Sequence, residues 1–231
     1  YVKARETLGN ARKLKSWDPS LATSIHLLDV DEKGAFPGKS YKIQLDRYIV
    51  ETNVDQKFAN EIAQFMGTVY KGYKKTFPFK KNENLLFYVK IFSTESEFAT
   101  YYKAVTGVDT HKGAGKAVAF YMSATKELVG WNSDDLKSTL MHEGLHQFID
   151  FFVDDCPIWF NEGTASIFET STVDEIKFNP ERHAEAKHAM ARKILPSLRD
   201  LLLMSSSTWN ASDNKVYYYG HSWSFIYWLN K

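Results

Sequence analysis

HEGLHQFIDFFVDDCPIWFNEGTA, residues 142–165, is the stretch on which the reading of this chain turns. Its first five residues fit H-E-x-x-H, a pattern that has chemical meaning only on a helix. There His142 and His146 project one turn apart from the same face, and both imidazoles can reach one metal ion at about 2.0–2.1 Å. Glu143 is rotated by about 100° from His142, beside the metal, where a general base for a water molecule belongs. Met141, Leu145, Phe148 and Phe152 form an apolar stripe at helical spacing, so the helix is expected independently of the motif.

Catalytic zinc usually takes three protein ligands and keeps one position open. A third histidine in H-E-x-x-H-x-x-G-x-x-H is excluded, because the Gly and His positions hold Ile149 and Phe152. Asp150 stands about 12 Å of helical rise from His142, too far for one ion to meet both. Glu162 is better placed. The first helix climbs about 10 Å from His146 to Val153, a turn follows, and a second helix opening at Pro157 descends about 8 Å to Glu162. Gly163 beside it is expected to let these two helices approach closely.

HEGLHQF followed by WFNEGTA resembles the gluzincin-type zinc metallopeptidases, in particular their peptidase-MA-like branch. The resemblance rests on His142, Glu143 and His146 and on Pro157, Trp159, Phe160, Glu162, Gly163 and Ala165. It extends less specifically to NLLFYVKIF (84–92), TESEFATYY (94–102) and YGHSWSFIYWL (219–229), covering roughly residues 41–231. It implies Zn²⁺ held by His142, His146 and Glu162, and a peptide or protein substrate cleaved with Glu143 as general base. The fold implied is α+β: a small mixed sheet with an edge strand over the cleft, packed on the active-site helix, then a helical C-terminal subdomain. Related chains carry a tyrosine in a Y-x-x-S-W helix, which makes Tyr219 the first candidate for stabilising an oxyanion; His221 is the second, and Tyr218 the alternative if the register slips. The resemblance departs at Ser166, where thermolysin-like members carry an aspartate that orients a zinc histidine. Asp150, Glu169 or a backbone carbonyl is left to do that work. The alternative to an enzyme is a catalytically inactive metal- or peptide-binding module within a longer protein.

The rest of the 231-residue chain narrows the field. Hydrophobic residues at 44% and charged residues at 25% are ordinary for a globular protein. The net charge of +1 supplies no basic field for a nucleic-acid backbone, and no apolar run reaches membrane-spanning length. Cys156 is the only cysteine, which rules out an intramolecular disulfide and is read as a free thiol. Residues 1–40 are expected to be a helical segment and linker, and 41–231 the zincin-like domain. Within it, strands or hairpins are expected at 41–53, 84–92 and 113–131, with helices at 54–77, 94–107, 132–152, from Pro157, and through most of 180–230. Thr94 and Ser133 are the expected N-caps, and the 116–130 hairpin is expected either to be structural or to offer substrate an edge strand. The start at Tyr1 and the apolar end read as those of a processed product or a piece of a longer protein. Oligomeric state and compartment stay open, although the resemblance favours an extracytoplasmic site.

Overall fold

In the computed structural model, which describes residues 35–79, 85–107, 118–171 and 174–231, five strands form one mixed sheet, in spatial order β1 (Tyr41–Leu45), β2 (Tyr48–Thr52), β3 (Phe87–Phe92), β5 (Glu127–Trp131) and β4 (Ala119–Met122). The expected helices in residues 1–30 lie outside the described residues. β1 (Tyr41–Leu45) and β2 (Tyr48–Thr52) make an antiparallel hairpin whose turn places Asp46 at φ 49°. Helix α1 (Gln56–Thr76) starts where the Asp55 carboxylate accepts the Phe58 N–H, and carries Lys74 and Lys75 in its last turn, where the helix dipole favours cations. It returns the chain to β3 (Phe87–Phe92), parallel to both β2 and β5.

Thr94 caps α2 (Glu95–Thr106) in a full capping box with Glu97, as expected. β4 (Ala119–Met122) and β5 (Glu127–Trp131) then form the expected hairpin, with β4 at the sheet edge. One sheet face buries Val50, Phe87, Val89 and Leu128 under Ile62 and Met66 of α1 and Leu140, Leu145 and Phe148 of α3 (Leu136–Asp150). On the other face Phe92 and Val129 meet Phe98, Tyr101 and Val105 of α2. Clothed on both faces, β3 reads as a nearly continuous apolar run. Its one charge, Lys90, is buried against Glu127 of β5 at 2.7 Å.

Ser133 does not cap α3. The chain turns before the helix, with the Leu136 N–H bonded to the Ser133 carbonyl at 3.2 Å, so the serine contributes main chain and its hydroxyl is buried without a partner. Asp135 takes the cap position with no side-chain bond, and the first turn of the helix carries no acidic residue. α3 also fits tightly under α1. A Cβ on Gly144 would come within 2.9 Å of Met66 Cε and 3.1 Å of the Tyr73 hydroxyl, which donates to the Met141 carbonyl at 2.5 Å.

After α3 the chain is helical: α4 (Ile158–Phe168), α5 (Pro180–Ala191), α6 (Leu198–Leu202), α7 (Ser206–Ala211) and α8 (Lys215–Leu229). The structure is thus α+β with a helical C-terminal region, and no helix among the described residues is long and apolar enough to cross a membrane. Gly163 serves α8 and not the α3–α4 contact: a Cβ there would lie 2.8 Å from the backbone carbon and oxygen of Ser222. Main chain cannot swing aside as a side-chain tip can. Gly163→Ala is therefore expected to lower stability by about 2 kcal/mol, seen in urea as a lower midpoint with an unchanged slope. An unchanged midpoint would mean that α8 is free to move off α4.

Candidate metal centre

The structure brings the three candidate ligand residues together, with one donor atom of each within 4.8 Å of the others. His142 and His146 are one turn apart on α3, with ring centroids 4.8 Å apart. Glu162 comes from α4, which runs back past them after the Asp154–Pro157 turn. Its Oε2 lies 3.2 Å from His142 Nε2 and 3.4 Å from His146 Nε2. Ligand atoms about 2.0 Å from a tetrahedrally held ion stand roughly 3.3 Å from one another, so the carboxylate-to-imidazole spacings suit an ion seated between them. Among the described residues this is the group of three that could hold a metal ion.

The outer contacts decide which nitrogens face inward. His142 Nδ1 is 2.8 Å from Glu169 Oε1, and His146 Nδ1 is 2.9 Å from Asn161 Oδ1. Both partners are acceptors, so each Nδ1 carries a hydrogen and donates it. In the neutral tautomer both Nε2 lone pairs then point at a carboxylate oxygen. Three such acceptors cannot face one another in a site only 11–13% exposed unless a cation lies between them, either protons or a metal.

Protons are the solution in the metal-free chain. Burial opposes charge on His142, but hydrogen bonds to Glu162 and Glu169 override it and push its pKa up to about 10. His146 is also raised, burial again being outweighed, here chiefly by the Glu162 charge. Burial works against the Glu162 carboxylate, yet the His146 charge and the His142 hydrogen bond hold it far below the usual range.

Glu169 occupies the place left by Ser166. It lies seven residues, or two turns, past Glu162 and so emerges from nearly the same face of α4. Arg182 of α5 grips it with two bonds, Nε to Oε2 at 3.0 Å and Nη2 to Oε1 at 2.7 Å, and Asn179 Nδ2 adds a third at 2.9 Å. Burial raises its pKa, but His142 and Arg182 more than compensate and bring it down to about 2. Ser166 is fully buried with its hydroxyl unpaired. Asp150 bonds neither histidine and instead accepts from Tyr121, Ser123 and Lys126.

Two cavities flank the centre. One of about 720 Å³ is lined by His142, Glu143, Glu169, Arg182 and Tyr219, and one of about 300 Å³ by Tyr121, His146, Asp150, Cys156 and Glu162. Glu143 faces the first and accepts the Tyr121 N–H of edge strand β4 at 2.8 Å. The Tyr219 ring is 6.3 Å from that of His142, with the Arg182 guanidinium 5.2 Å over its face. Burial and the Glu162 charge raise its phenol pKa, so at neutral pH it is a proton donor.

His221 is turned about 200° around α8 from Tyr219 and lines neither cavity. Burial lowers its pKa, and its Nδ1 is buried without a partner. Tyr218 exchanges a hydrogen bond with Ser212 at 2.9 Å and packs edge-on against Trp209. Cys156 borders the smaller cavity, where burial and the Glu162 charge lift its thiol to about 11, away from thiolate chemistry.

Three contributors were not assigned from sequence. Asn161 was visible as the polar residue beside Glu162 in an apolar helix start. Arg182 follows an Asn179-Pro180 helix opening but had no signal tying it to α4, and the part of Tyr121 is played by its main chain.

A ligand histidine must be neutral, and His142 in the metal-free chain is protonated until the pH passes about 10. Metal binding at pH 7 is therefore expected to release roughly one proton or more, and affinity to rise from pH 7 upward as protons compete less. Calorimetry in buffers of different ionisation enthalpy measures the release. Binding without it would contradict the charge state assigned to His142.

The chain matches no protein-family model, and comparison with curated proteins also finds no match. The geometry alone therefore supports a group that could hold a metal ion.

Proposed function

We propose that this chain is a zinc-dependent metallopeptidase of gluzincin type, acting on peptide or protein substrates. The observation that carries the reading is the convergence of His142 Nε2 and His146 Nε2 on one oxygen of Glu162, with Glu143 beside them in a cleft. Two imidazoles and one carboxylate are a donor set suited to zinc with an open position. Zinc bound there would lower the pKa of a water molecule towards neutrality and polarise a substrate carbonyl.

The protein's own groups supply the remaining steps. Glu143 takes a proton from the water as its oxygen attacks the carbonyl carbon. It then delivers that proton to the nitrogen as the C–N bond breaks, leaving a carboxylic acid and an amine. Its Oε2 accepts the Tyr121 N–H, and the residue lines the cleft. Tyr219, neutral and within the same cleft, donates to the oxyanion of the tetrahedral intermediate. The position of Tyr219 favours it over His221 for this role. Glu169, supported by Arg182, and Asn161 keep both imidazoles in the tautomer that presents Nε2. Cavities on both sides of the metal group leave room for an extended chain to pass across it.

Elemental mass spectrometry of dialysed protein is expected to find about one zinc per chain. Glu162→Ala should lose it. Glu143→Gln should keep the zinc and lose at least about 100-fold in peptide turnover. A Glu143→Gln variant that still cleaves peptides at the wild-type rate would end this mechanism, and a zinc-free wild type after incubation with the metal would end the reading.

A further inference from the structure

Edge strand β4 has only four residues and, among the described residues, pairs with β5 alone. In its register with β5 the Val118 carbonyl accepts the Trp131 N–H, so alternate residues 118 and 120 turn their main chain towards β5. Ala119 and Tyr121 turn theirs outward. Phe120 sends its side chain to the opposite face of the sheet, against Phe98 and Tyr102 of α2.

Tyr121 is thus held by α3 at two points. Its outward N–H donates to Glu143, and its phenol donates to Asp150. Glu143 and Asp150 are seven residues apart, two turns on nearly the same helix face, so one strand residue spans both. Ser123 and Lys126, from the turn of the same hairpin, converge on the same Asp150 oxygen. Three donors from one hairpin therefore meet one carboxylate at the end of the helix. Removal of that carboxylate leaves the hairpin bonded to α3 through Tyr121 N–H to Glu143 and through Gln147, whose Nε2 donates to the Lys126 carbonyl at 3.0 Å, so Glu143 becomes the one hydrogen-bond partner α3 offers Tyr121.

We propose that Asp150 is a positioning residue, which sets the height of β4 over α3 and through it the hydrogen bond that orients the Glu143 carboxylate. Its effect on turnover rests on the peptidase reading above, whereas its effect on the strand does not. Asp150 also lines the smaller cavity with Tyr121, so the clamp forms one wall of the cleft that substrate would cross.

The test compares Asp150→Ala, Asp150→Asn and Tyr121→Phe in the full chain, with two readouts. The first is amide hydrogen exchange at residues 119–122, with and without zinc. Asp150→Ala and Tyr121→Phe are expected to speed exchange there while zinc content stays unchanged. Asp150→Asn, which keeps an oxygen to accept from the phenol, should restore most of the protection. The second is the split between kcat and KM on a peptide substrate. Because a general base moved out of line loses rate more than binding, kcat should fall roughly tenfold in Asp150→Ala with KM nearly constant. Unchanged exchange in Asp150→Ala, no recovery in Asp150→Asn, or a raised KM with kcat intact would each overturn the proposal. If the wild type shows no turnover, the peptidase reading fails, and exchange alone still decides whether Asp150 sets the strand.

Discussion

Two imidazole nitrogens and a carboxylate oxygen, all acceptors, face one another in a nearly closed space, and much of the surrounding architecture follows from that. Such a group is tolerable only with positive charge at its centre. Protons can supply that charge, and then His142 remains cationic far above the ordinary range for histidine. A metal ion can supply it as well, and then both rings must be neutral with Nδ1 protonated. The same outer acceptors, Glu169 and Asn161, serve both states. Removing the proton and adding the metal thus requires no change of tautomer at Nδ1.

Each support of the centre needs a support of its own, because an unpaired charge away from water is costly. Glu169 is answered by Arg182, which is answered again by Glu185 at 3.0 Å and lies over the Tyr219 ring. A chain of contacts therefore runs from His142 on α3 through the end of α4 to α5 and α8. The helical back half does more than cover α4. It carries the charge that steadies the outer hydrogen bond of His142.

The division between what was legible in the sequence and what was not follows the range of the interactions. Thr94 and Glu97 form a cap within three residues, and the residue types specify it. Glu162 was reachable because two short helices joined by a tight turn leave few places for its carboxylate. Ser133 misled because a serine ahead of a helix can bond through its carbonyl as readily as through its hydroxyl. Gly163 announced a close approach without naming the partner, which proved to be Ser222 on α8, far downstream in the chain. Glu169 was one of three candidates, and the Arg182 contact that steadies it comes from another helix with no local mark in the sequence. Tyr121 reaches Glu143 through its main chain, and a main-chain contact leaves no mark in residue type.

The two unnamed positions of H-E-x-x-H are commonly regarded as free to vary, but α1 removes that freedom at Gly144. Of the two atoms that a Cβ there would crowd, Met66 Cε is the end of a flexible side chain and can shift. The Tyr73 hydroxyl cannot do so cheaply, since it is bonded to the Met141 carbonyl at 2.5 Å. Replacing Tyr73 by Phe removes both the oxygen in the way and that bond. Alanine at position 144 is then more acceptable after the change at position 73 than before it. The order in which two substitutions arise, and not only their identity, governs how this helix can drift while keeping its histidines in place.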